Sequence, residues 1–264
     1  MKFMECRLCG SDNLKLLFVQ GDQHQYKFYR CMECGLVNLD IKDINISSNQ
    51  QKYYGRFKPF NNYEDDIRMR DAYRFIRKYV PLSNGKFLDI GCGGGSLLYF
   101  ALKDGWEVKG IEIAGGYVDY VKAKLGIDVI HSDFLKLENF NEKFDLVSLR
   151  HVLEHIPDSV LAMNKISSLL NDGGYAHFEF PNINSITHRL KRFLLRNKII
   201  RKTYGPDYNP AHCNEFCKKS FSYLLDLTGF QLIRWETYSF KPASNFLYNR
   251  IWIGTKARAI VKKK

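Results

Sequence analysis

Short apolar runs alternate with helical stretches through the middle of the chain. The apolar runs predict strands over 86–91, 107–112, 128–131, 144–149 and 174–180, and the stretches between them predict helices over 95–104, 116–125 and 158–170. Strands that alternate with helices favour a parallel sheet, because each connection has to cross one face of that sheet. The pattern therefore predicts an α/β fold with helices on both faces of the sheet.

The first of these strands ends in a glycine-rich turn. Asp89 lies in the strand, alternate residues of 91–95 are glycine, and a helical stretch begins at Ser96. Glycines let the backbone turn sharply and approach a ligand, and a helix start offers N–H groups to an anion. The next strand ends in Glu112, about 20 residues past the glycines, where a carboxylate suits a ribose diol.

Two classes of cofactor use such a turn. A dinucleotide site needs a third glycine at the sixth position of Gly-x-Gly-x-x-Gly, for close packing of the helix, and here that position is Ser96. The spacing from Asp89 to Gly95 is instead Asp-x-Gly-x-Gly-x-Gly. It resembles the first motif of class I S-adenosylmethionine (SAM)-dependent methyltransferases, in which the turn holds the methionine end of SAM.

Further segments extend the resemblance from about Asp65 to Tyr238. The second motif of the family contacts ribose and adenine, and the third supplies an acid for the adenine amino group and a neighbour that packs on its ring. The fourth and fifth strands and the start of the sixth also match. The resemblance implies a Rossmann-like, seven-stranded α/β sheet with helices on both faces and SAM as cofactor. It assigns to cofactor binding Asp89, Gly91, Cys92, Gly93, Gly95, Glu112, Ile113, Asp133, Phe134, Arg150 and His151. Tyr54, just before the core, is expected to close over the cofactor. For Tyr54 packing is the alternative role, and for Cys92 it is that of a small buried filler.

The C-terminal end of the sheet has two interpretations. The segment 251–255 fits the antiparallel seventh strand of the family, and it also fits the start of a C-terminal helix.

Four cysteines near the N-terminus have the spacing of a metal site. Cys6-x-x-Cys9 and Cys31-x-x-Cys34 are separated by 21 residues, and two such pairs complete a tetrahedron of thiolates around zinc. A module of about 35 residues is too small for a core of its own, so the metal would hold it together. Four protein ligands leave no open position, which predicts a structural zinc and not a catalytic one.

Two disulfides in a secreted protein are the alternative for these cysteines. The chain has neither an apolar signal segment at its start nor a run of 18 apolar residues, so we expect a cytoplasmic enzyme with reduced thiols. The predicted organisation is a zinc-ribbon-like module over 1–40, a linker or cap over 41–62 and a methyltransferase domain over 63–264, with an insertion over 181–217 on the acceptor side.

Positive charge is concentrated in two segments. Residues 188–202 and 241–264 each hold seven Lys or Arg and no acid, together more than the net formal charge of +12. Such segments suit an anionic acceptor, RNA, or an anionic membrane surface, for which Leu190 and Phe193 begin a rough apolar stripe. A solvated charged face is the simpler interpretation.

Methyl transfer from a sulfonium depends mainly on alignment, and a general base helps where the acceptor is a hydroxyl or an acidic carbon. We predict His155, His212 and Glu154 as catalytic residues, and His151, Glu179 and Glu215 were the other candidates. The pair Glu154–His155 resembles that of ubiquinone-pathway O-methyltransferases, some of which use a divalent cation there. Those enzymes carry Glu where this chain has His151, and local packing is the alternative role of His155.

The insertion supplies the remaining clues to the acceptor. Pro210-Ala-His212, followed by Phe216 and Phe221, resembles a Pro-x-His then Phe-Ser pattern of methyltransferases that act on sugars and surface glycans. Several of those enzymes also carry an N-terminal module of Cys-x-x-Cys pairs. A second metal site at His212, Cys213 and Cys217 lacks a fourth ligand, which disfavours it.

The sequence therefore predicts a SAM-dependent methyltransferase that acts on a small, sugar-containing acceptor, nucleotide-linked or lipid-linked. An RNA methyltransferase is the second interpretation, because a zinc module with basic segments also suits nucleic acid. A non-catalytic SAM-binding protein is the third. The acceptor atom and the oligomeric state stay open.

Overall fold

The computed structural model describes residues 4–41, 62–138, 141–204, 208, 210–239, 251 and 253–264. Its strands and α-helices, in chain order, are β1 Leu14–Gln20, β2 Tyr26–Cys31, β3 Val37–Leu39, α1 Ile67–Tyr79, β4 Lys86–Ile90, α2 Ser96–Lys103, β5 Glu107–Glu112, α3 Gly115–Leu125, β6 Val129–His131, β7 Phe144–Arg150, α4 Ser159–Leu169, β8 Leu170–Pro181, α5 Ile186–Arg196, β9 Asn214–Glu215, α6 Lys218–Thr228, β10 Phe230–Tyr238 and β11 Lys256–Lys263.

Seven of the strands form one sheet in the order β10-β11-β8-β7-β4-β5-β6. Strands β4 to β8 are parallel to one another, and β11 is antiparallel to both β8 and β10. The predicted α/β sheet is therefore confirmed, and each predicted strand and helix of the middle of the chain is present. The order reverses between β4 and β7, which opens a crevice for ligands at the carboxyl ends of these strands.

The sheet has a core on each face, because successive side chains of a strand point to opposite sides. Phe87 packs with Leu97 under α1 and α2, whereas the adjacent Leu88 belongs to a cluster with Met163 and Phe221 under α4 and α6. These buried layers fix the positions of the loops that follow β4, β5 and β7.

The antiparallel seventh strand is present, but it begins at Lys256 and not within 251–255. The strand was thus predicted in kind but placed a few residues too early, and no C-terminal helix follows 255, because that stretch forms β11. Ala257, Ala259 and Val261 of β11 are fully buried, and Lys or Arg residues alternate with them at 256, 258 and 262. Part of the second basic segment is thus an alternating strand of the sheet, whose period of two follows from the pleat.

A second sheet joins the N-terminal module to the insertion. Its order is β1-β2-β3-β9, all antiparallel, and β9 comes from the insertion. In the last pair, Val37 lies opposite Glu215 and Asn38 opposite Asn214. The module is therefore paired by backbone hydrogen bonds with the segment that follows His212. Within the described residues, no helix has the length and apolar character needed to cross a membrane.

Candidate cofactor and acceptor sites

The glycine turn after β4 is open on the side that would meet a ligand. Gly91 and Gly93 have φ of 72° and 53°, which side chains other than glycine rarely adopt. A Cβ on Gly91 would lie 2.6 Å from Val152 Cγ2, whereas a Cβ on Gly93 would meet nothing within 4 Å. The Ser96 Oγ at the start of α2 is buried and has no hydrogen-bond partner among the described residues. This turn fits an anionic ligand group.

Glu112 at the end of β5 is held against this turn. Its Oε2 accepts a hydrogen bond from the backbone N–H of Gly93 (2.8 Å), and its Oε1 accepts from those of Ile113 (2.8 Å) and Ala114 (2.9 Å). The carboxylate is buried, while the side chain of Ile113 beside it is exposed. This pairing of an anchored acid with an exposed apolar residue fits a ribose and a base.

Asp89 and Asp133 flank Glu112 in the neighbouring strands. Burial raises the pKa of Asp89 to about 7, against the opposing effects of Arg150 and a hydrogen bond from Ser148. Asp133 accepts a hydrogen bond from the backbone N–H of Leu135 (3.0 Å) at the start of a 3₁₀ turn. The structure therefore brings the predicted acids to the ends of β4, β5 and β6.

Two of the predicted cofactor residues, Phe134 and Cys92, are buried within the protein. Phe134 is 4 % exposed and lies in the core, so its ring is already covered by protein. Cys92 is buried, and its Sγ packs against Gly110. A Cβ added to that glycine would lie only 2.8 Å from the sulfur. Tyr54 lies outside the described residues.

Arg150 at the end of β7 is held by Glu179 of β8. The two form a bidentate ion pair with N···O distances of 3.0 and 3.1 Å, and the Nη1 of Arg150 also contacts the Met69 Sδ. Both ion-paired side chains are largely buried. The guanidinium is therefore fixed beside Asp89, and its contact with the cofactor stays a prediction.

The carboxylate of Glu179 has further hydrogen-bond and ion-pair partners. Tyr238 donates its hydroxyl at 2.5 Å, the His151 Nε2 lies 3.4 Å away and the Lys256 Nζ lies 3.5 Å away. Burial opposes ionisation, but Arg150 and His151 outweigh it and hold the pKa of Glu179 well below its usual range. A carboxylate stabilised in this way is a weak base, which removes Glu179 from the base candidates.

His151 is enclosed by the same network. Its φ of 55° is unusual for a residue other than glycine. Its Nδ1 lies 3.0 Å from the Glu154 Oε1, and its Nε2 lies 2.7 Å from the Lys256 Nζ. Although burial opposes the charge, the hydrogen bonds to Glu154 and Glu179 raise the pKa of His151. Both ring nitrogens of His151 have partners within the protein, so this histidine helps to hold Glu154 and Lys256 in place. It is poorly placed to remove a proton from an acceptor.

His155 and His212 lie side by side, with ring centroids 4.9 Å apart. The His155 Nδ1 lies 2.9 Å from the carbonyl oxygen of Ala211, which fixes the proton on Nδ1 and the basic lone pair on Nε2. Burial lowers the pKa of His155. The His212 Nδ1 lies 3.1 Å from the Glu215 Oε1, and although burial opposes it, that hydrogen bond raises the pKa of His212.

Glu154 lies behind this pair and is 1 % exposed. Burial opposes its charge, but the hydrogen bond from His151 outweighs that effect and lowers the pKa of Glu154. Ligand atoms of Glu154, His155 and His212 all lie within 4.8 Å of one another. The three predicted catalytic residues are thus brought together, and they offer one carboxylate and two imidazole donors that could hold a divalent cation.

A cavity of about 500 Å³ opens beside His212; its volume is within the usual range for ligand pockets. We call it the acceptor pocket. Its walls come from β1 and β2 of the module, from the insertion and from the junction of β8 and β11. They consist of Gln20, Phe28, Pro181, His188, Tyr208, Pro210, Ala211, His212, Glu215, Thr255 and Lys256.

The four cysteines of the module converge on one point. Their sulfurs all lie within 4.8 Å of one another, and the distances Cys6–Cys34 and Cys9–Cys31 are both 3.5 Å. Sulfurs of a tetrahedral zinc site lie about 3.8 Å apart, given a Zn–S bond of about 2.3 Å, whereas a disulfide measures about 2.05 Å. No disulfide joins these four sulfurs in the structure, and their spacing fits a metal ion better than it fits two disulfides.

Among the described residues, Cys213 and Cys217 belong to neither potential metal group. The Cys213 Sγ lies 3.4 Å from the carbonyl oxygen of Glu154, and the Cys217 Sγ lies 3.7 Å from that of Gly35.

Sequence reasoning missed the residues that tie these parts together. Tyr238 and Lys256 complete the network around Glu179, and Arg7 joins the module to the insertion. The guanidinium of Arg7 donates to the carbonyl oxygens of Leu39 (2.7 Å) and Cys213 and to the Asn214 Oδ1 (3.0 Å). No local pattern marks such contacts, because their partners lie far away along the chain.

Comparisons with known proteins agree with this geometry. A family model described as a methyltransferase domain matches residues 63–234. Ubiquinone biosynthesis O-methyltransferase of Coxiella burnetii is 25 % identical over 190 residues, which cover 66 % of this chain and 77 % of the relative. The protein of the same name from Bartonella tribocorum is 33 % identical over 132 residues, which cover 46 % of this chain and 53 % of the relative.

Solved structures share the fold. A SAM-dependent methyltransferase from Archaeoglobus fulgidus superimposes with a TM-score of 0.55 at 20 % identity, covering 76 % of this chain and 98 % of that one. Magnesium protoporphyrin IX methyltransferase from Synechocystis PCC 6803, with bound SAH (S-adenosylhomocysteine), gives 0.55 at 16 % identity, covering 83 % and 95 %.

Proposed function

This chain is a SAM-dependent methyltransferase that belongs to the methyltransferase-domain family, and from that premise we propose that it methylates a small, sugar-containing acceptor bound in the acceptor pocket. The observation that carries the proposal is the position of that pocket, which has His212 in its wall and His155 packed against His212. The pocket is bounded by the module and the insertion, which lie outside the parallel strands that form the cofactor turn.

We propose that His155 is the general base. SAM, when bound, supplies a methyl group already activated by its sulfonium. A neutral imidazole with its lone pair on Nε2 takes the proton of an acceptor hydroxyl, while the oxygen bonds to the methyl carbon and the sulfur keeps the electrons of the broken C–S bond. The charge of Glu154, whose carboxylate lies near the ring, stabilises the imidazolium that forms, while the Ala211 carbonyl oxygen orients the ring.

His212 has a different role in this scheme. Its hydrogen bond to Glu215 favours the charged imidazolium, which donates to the acceptor and stabilises negative charge on the attacking oxygen. A divalent cation held by Glu154, His155 and His212 would also stabilise the negative charge on the attacking oxygen. Full activity of protein that elemental analysis shows to retain the cysteine-bound zinc and to hold no other divalent cation would assign the role to His212 itself.

The cysteine cluster is proposed to hold a structural zinc. Four thiolates leave no open coordination position, and metal binding would contribute directly to the folding of a module this small. Residues of that module, Gln20 and Phe28, line the acceptor pocket, so the metal supports the acceptor site from a distance.

A phenol is the second candidate acceptor. The name shared by the relatives from Coxiella burnetii and Bartonella tribocorum specifies O-methylation in ubiquinone biosynthesis, and the pair Glu154–His155 resembles the one in that group. RNA is less favoured than the sequence suggested, because three cations of the second basic segment, Lys256, Arg258 and Lys263, lie in β11 close to carboxylates.

A direct assay separates these acceptors. The purified, metal-loaded protein is incubated with methyl-labelled SAM and, in turn, with nucleotide-linked sugars, catechols and transfer RNA, and each product is identified by mass spectrometry. The proposal expects methylated sugar conjugates that require His155. Turnover of catechols alone, or of RNA alone, would contradict it.

A further inference from the structure

A second cavity, of about 520 Å³, lies on the other side of α5 from the acceptor pocket. We call it the cationic pocket. The helix separates the two, since His188 lines the acceptor pocket and Arg189 lines the cationic pocket. Strand β2 contributes Phe28 to the acceptor pocket and Arg30 to the cationic pocket. Residues two apart in a strand lie on the same face of the sheet. The pockets are therefore neighbours.

The walls of the cationic pocket carry five positive side chains. They are Arg30 from the module, Arg189 and Arg192 from α5, and Lys218 and Lys219 from the first turn of α6. None of the described residues that line it is acidic; the remaining ones are Leu17, Asn182, Asn184, Trp235, Ile251 and Ile253. Cations from three separate elements thus converge on one cavity.

These charges are brought together without compensating carboxylates in the lining. Among the described residues, neither Arg30, Arg189 nor Arg192 forms an ion pair. Burial and then the proximity of Arg30 and Arg189 lower the pKa of Arg192, while Glu215 opposes this with a smaller effect. Repulsion of this kind is relieved when an anion enters.

The pocket also contains buried donors without partners. The Nε of Arg30 and the Nε1 of Trp235 are both buried and make no hydrogen bond within the described part of the chain. A buried donor left unpaired is costly. Meanwhile the Nη2 of Arg30 donates to the Asn184 Oδ1 at 2.8 Å, which fixes the guanidinium in the wall.

We propose that the cationic pocket binds the diphosphate of the methyl acceptor. Arginine forks match phosphate oxygens, and the N-terminus of the 11-residue helix α6 adds its own partial positive charge. The apolar floor of Leu17, Trp235 and Ile253 suits the nucleoside or lipid attached to the diphosphate. The assignment to the acceptor rests on the proposed function, whereas anion binding by the pocket does not.

Titration calorimetry of the metal-loaded protein tests this inference, with inorganic diphosphate and inorganic phosphate as probes at fixed ionic strength. Arg30→Gln and Arg189→Gln each remove one cation from the pocket, and Arg189 is exposed, so its replacement leaves the fold intact. Arg196→Gln is the matched control, since it removes the same charge from the exposed end of α5. SAH affinity is measured for every variant.

Inorganic diphosphate should bind more tightly than phosphate, and each pocket variant should weaken it by about 10-fold or more, the loss of one or two charge-assisted hydrogen bonds. Arg196→Gln should bind like the wild type, and SAH affinity should not change. Equal losses in all three variants would reduce the effect to net charge and overturn the proposal, as would failure of diphosphate to bind while SAH still does.

The source of the diphosphate is separated by two further probes, UDP and farnesyl diphosphate in phosphatidylcholine vesicles. Tighter binding of UDP supports a nucleotide-linked acceptor, and tighter binding of the vesicles supports a lipid-linked one. Competition by a short RNA that displaces both, with the same dependence on Arg30, would overturn the diphosphate assignment. If the protein bound diphosphate but not SAH, the result would contradict the proposed function and would still support anion binding by the cationic pocket.

Discussion

His155 and His212 differ in the partner of one ring nitrogen. The Nδ1 of His155 faces a backbone carbonyl, whereas that of His212 faces the Glu215 carboxylate. Burial therefore dominates in His155 and lowers its pKa, while the carboxylate dominates in His212 and raises its pKa. Adjacent groups whose pKa values are pushed apart are suited to opposite roles in proton transfer.

The pH dependence of kcat/KM follows from these directions. His155 acts when neutral, so activity should rise through a pKa below 6.5, and His212 acts when charged, so activity should fall through a pKa above 6.5. His155→Asn should lower kcat by about 10²–10⁴-fold, and His212→Asn should remove the alkaline limb. His24→Asn, an exposed histidine of the module, is the control. A profile that keeps both limbs in His212→Asn would contradict the assignment.

Glu112 is the residue on which cofactor affinity should depend most. Glu112→Ala removes the acceptor of three backbone N–H groups as well as the ribose contact, so the affinity for SAH should fall by about 10–100-fold. Calorimetric titration with SAH measures the change. Asp119→Ala removes an exposed acid of α3 and should bind SAH as the wild type does; an unaffected Glu112→Ala would place the ribose elsewhere.

At the scale of elements, β11 is a strand that its high content of basic residues made difficult to predict. Its sequence was counted as part of a basic segment, although alternate residues are buried. Three of its four cations lie near carboxylates: Lys256 near Glu179, Lys263 near Asp172, and Arg258 near Asp71 and Glu236. The fourth, Lys262, lies over the ring of Tyr175. The alternation of basic and apolar residues that marks a strand is present in the sequence of β11. The high positive charge of the segment favoured its interpretation as a binding surface instead.

Arg258 should be important for stability. Its guanidinium bridges Asp71 (2.7 Å) and Glu236 (3.2 Å) and stacks over Phe75 at 4.3 Å. Arg258→Ala should lower the free energy of unfolding by about 2–4 kcal/mol, because a buried carboxylate and the ring face lose their partner. Urea unfolding measures it, with the exposed Lys264→Ala as control. Equal stability of the two variants would show that the bridge is dispensable.

Arg7 links the module to the acceptor site through a short series of contacts. It follows Cys6 in the chain and bonds to the carbonyl oxygen of Cys213 and to the Asn214 Oδ1. The Nδ2 of Asn214 in turn donates to the carbonyl oxygen of Ile156 at 2.7 Å. Since Ile156 follows His155, an ordered module would help to hold the proposed base in place.

Removal of the metal should therefore affect the acceptor and spare the cofactor. In Cys34→Ser, bound zinc and kcat/KM for the acceptor should both fall, while the affinity for SAH should stay at the wild-type value. Zinc is measured by elemental analysis alongside both assays. Cys217→Ser, outside the cluster, should retain zinc and activity. Full acceptor turnover after complete loss of zinc would show that the module does not support the site.

At the scale of the whole molecule, the sequence was most informative where function depends on local chain geometry. The positive φ angles of Gly91 and Gly93 and the acid that ends β5 are encoded within a few residues of each other, so spacing alone predicts them. Pairing of β3 with β9, the bond from Arg7 to Asn214 and the convergence of Arg30 with Arg189 join residues far apart in the chain. Such contacts depend on the folded arrangement, and no local pattern encodes them.

The same arrangement divides the molecule into two functional parts. The strands β4 to β7 supply the cofactor turn, whereas the module, the insertion and the junction of β8 with β11 enclose the two pockets. His155 and His212 lie where these parts meet. This division explains how a widespread cofactor fold can acquire its own acceptor by adding segments at one edge.

The most direct test of the account is methyl transfer from labelled SAM into a desalted extract of the cells that produce the protein, separated by size and by anion exchange, with and without nuclease. The account predicts label in small, nuclease-resistant, anionic material, formed by the wild-type enzyme and not by His155→Asn. Label that disappears only after treatment with RNase would contradict it and assign both basic segments to an RNA-binding surface.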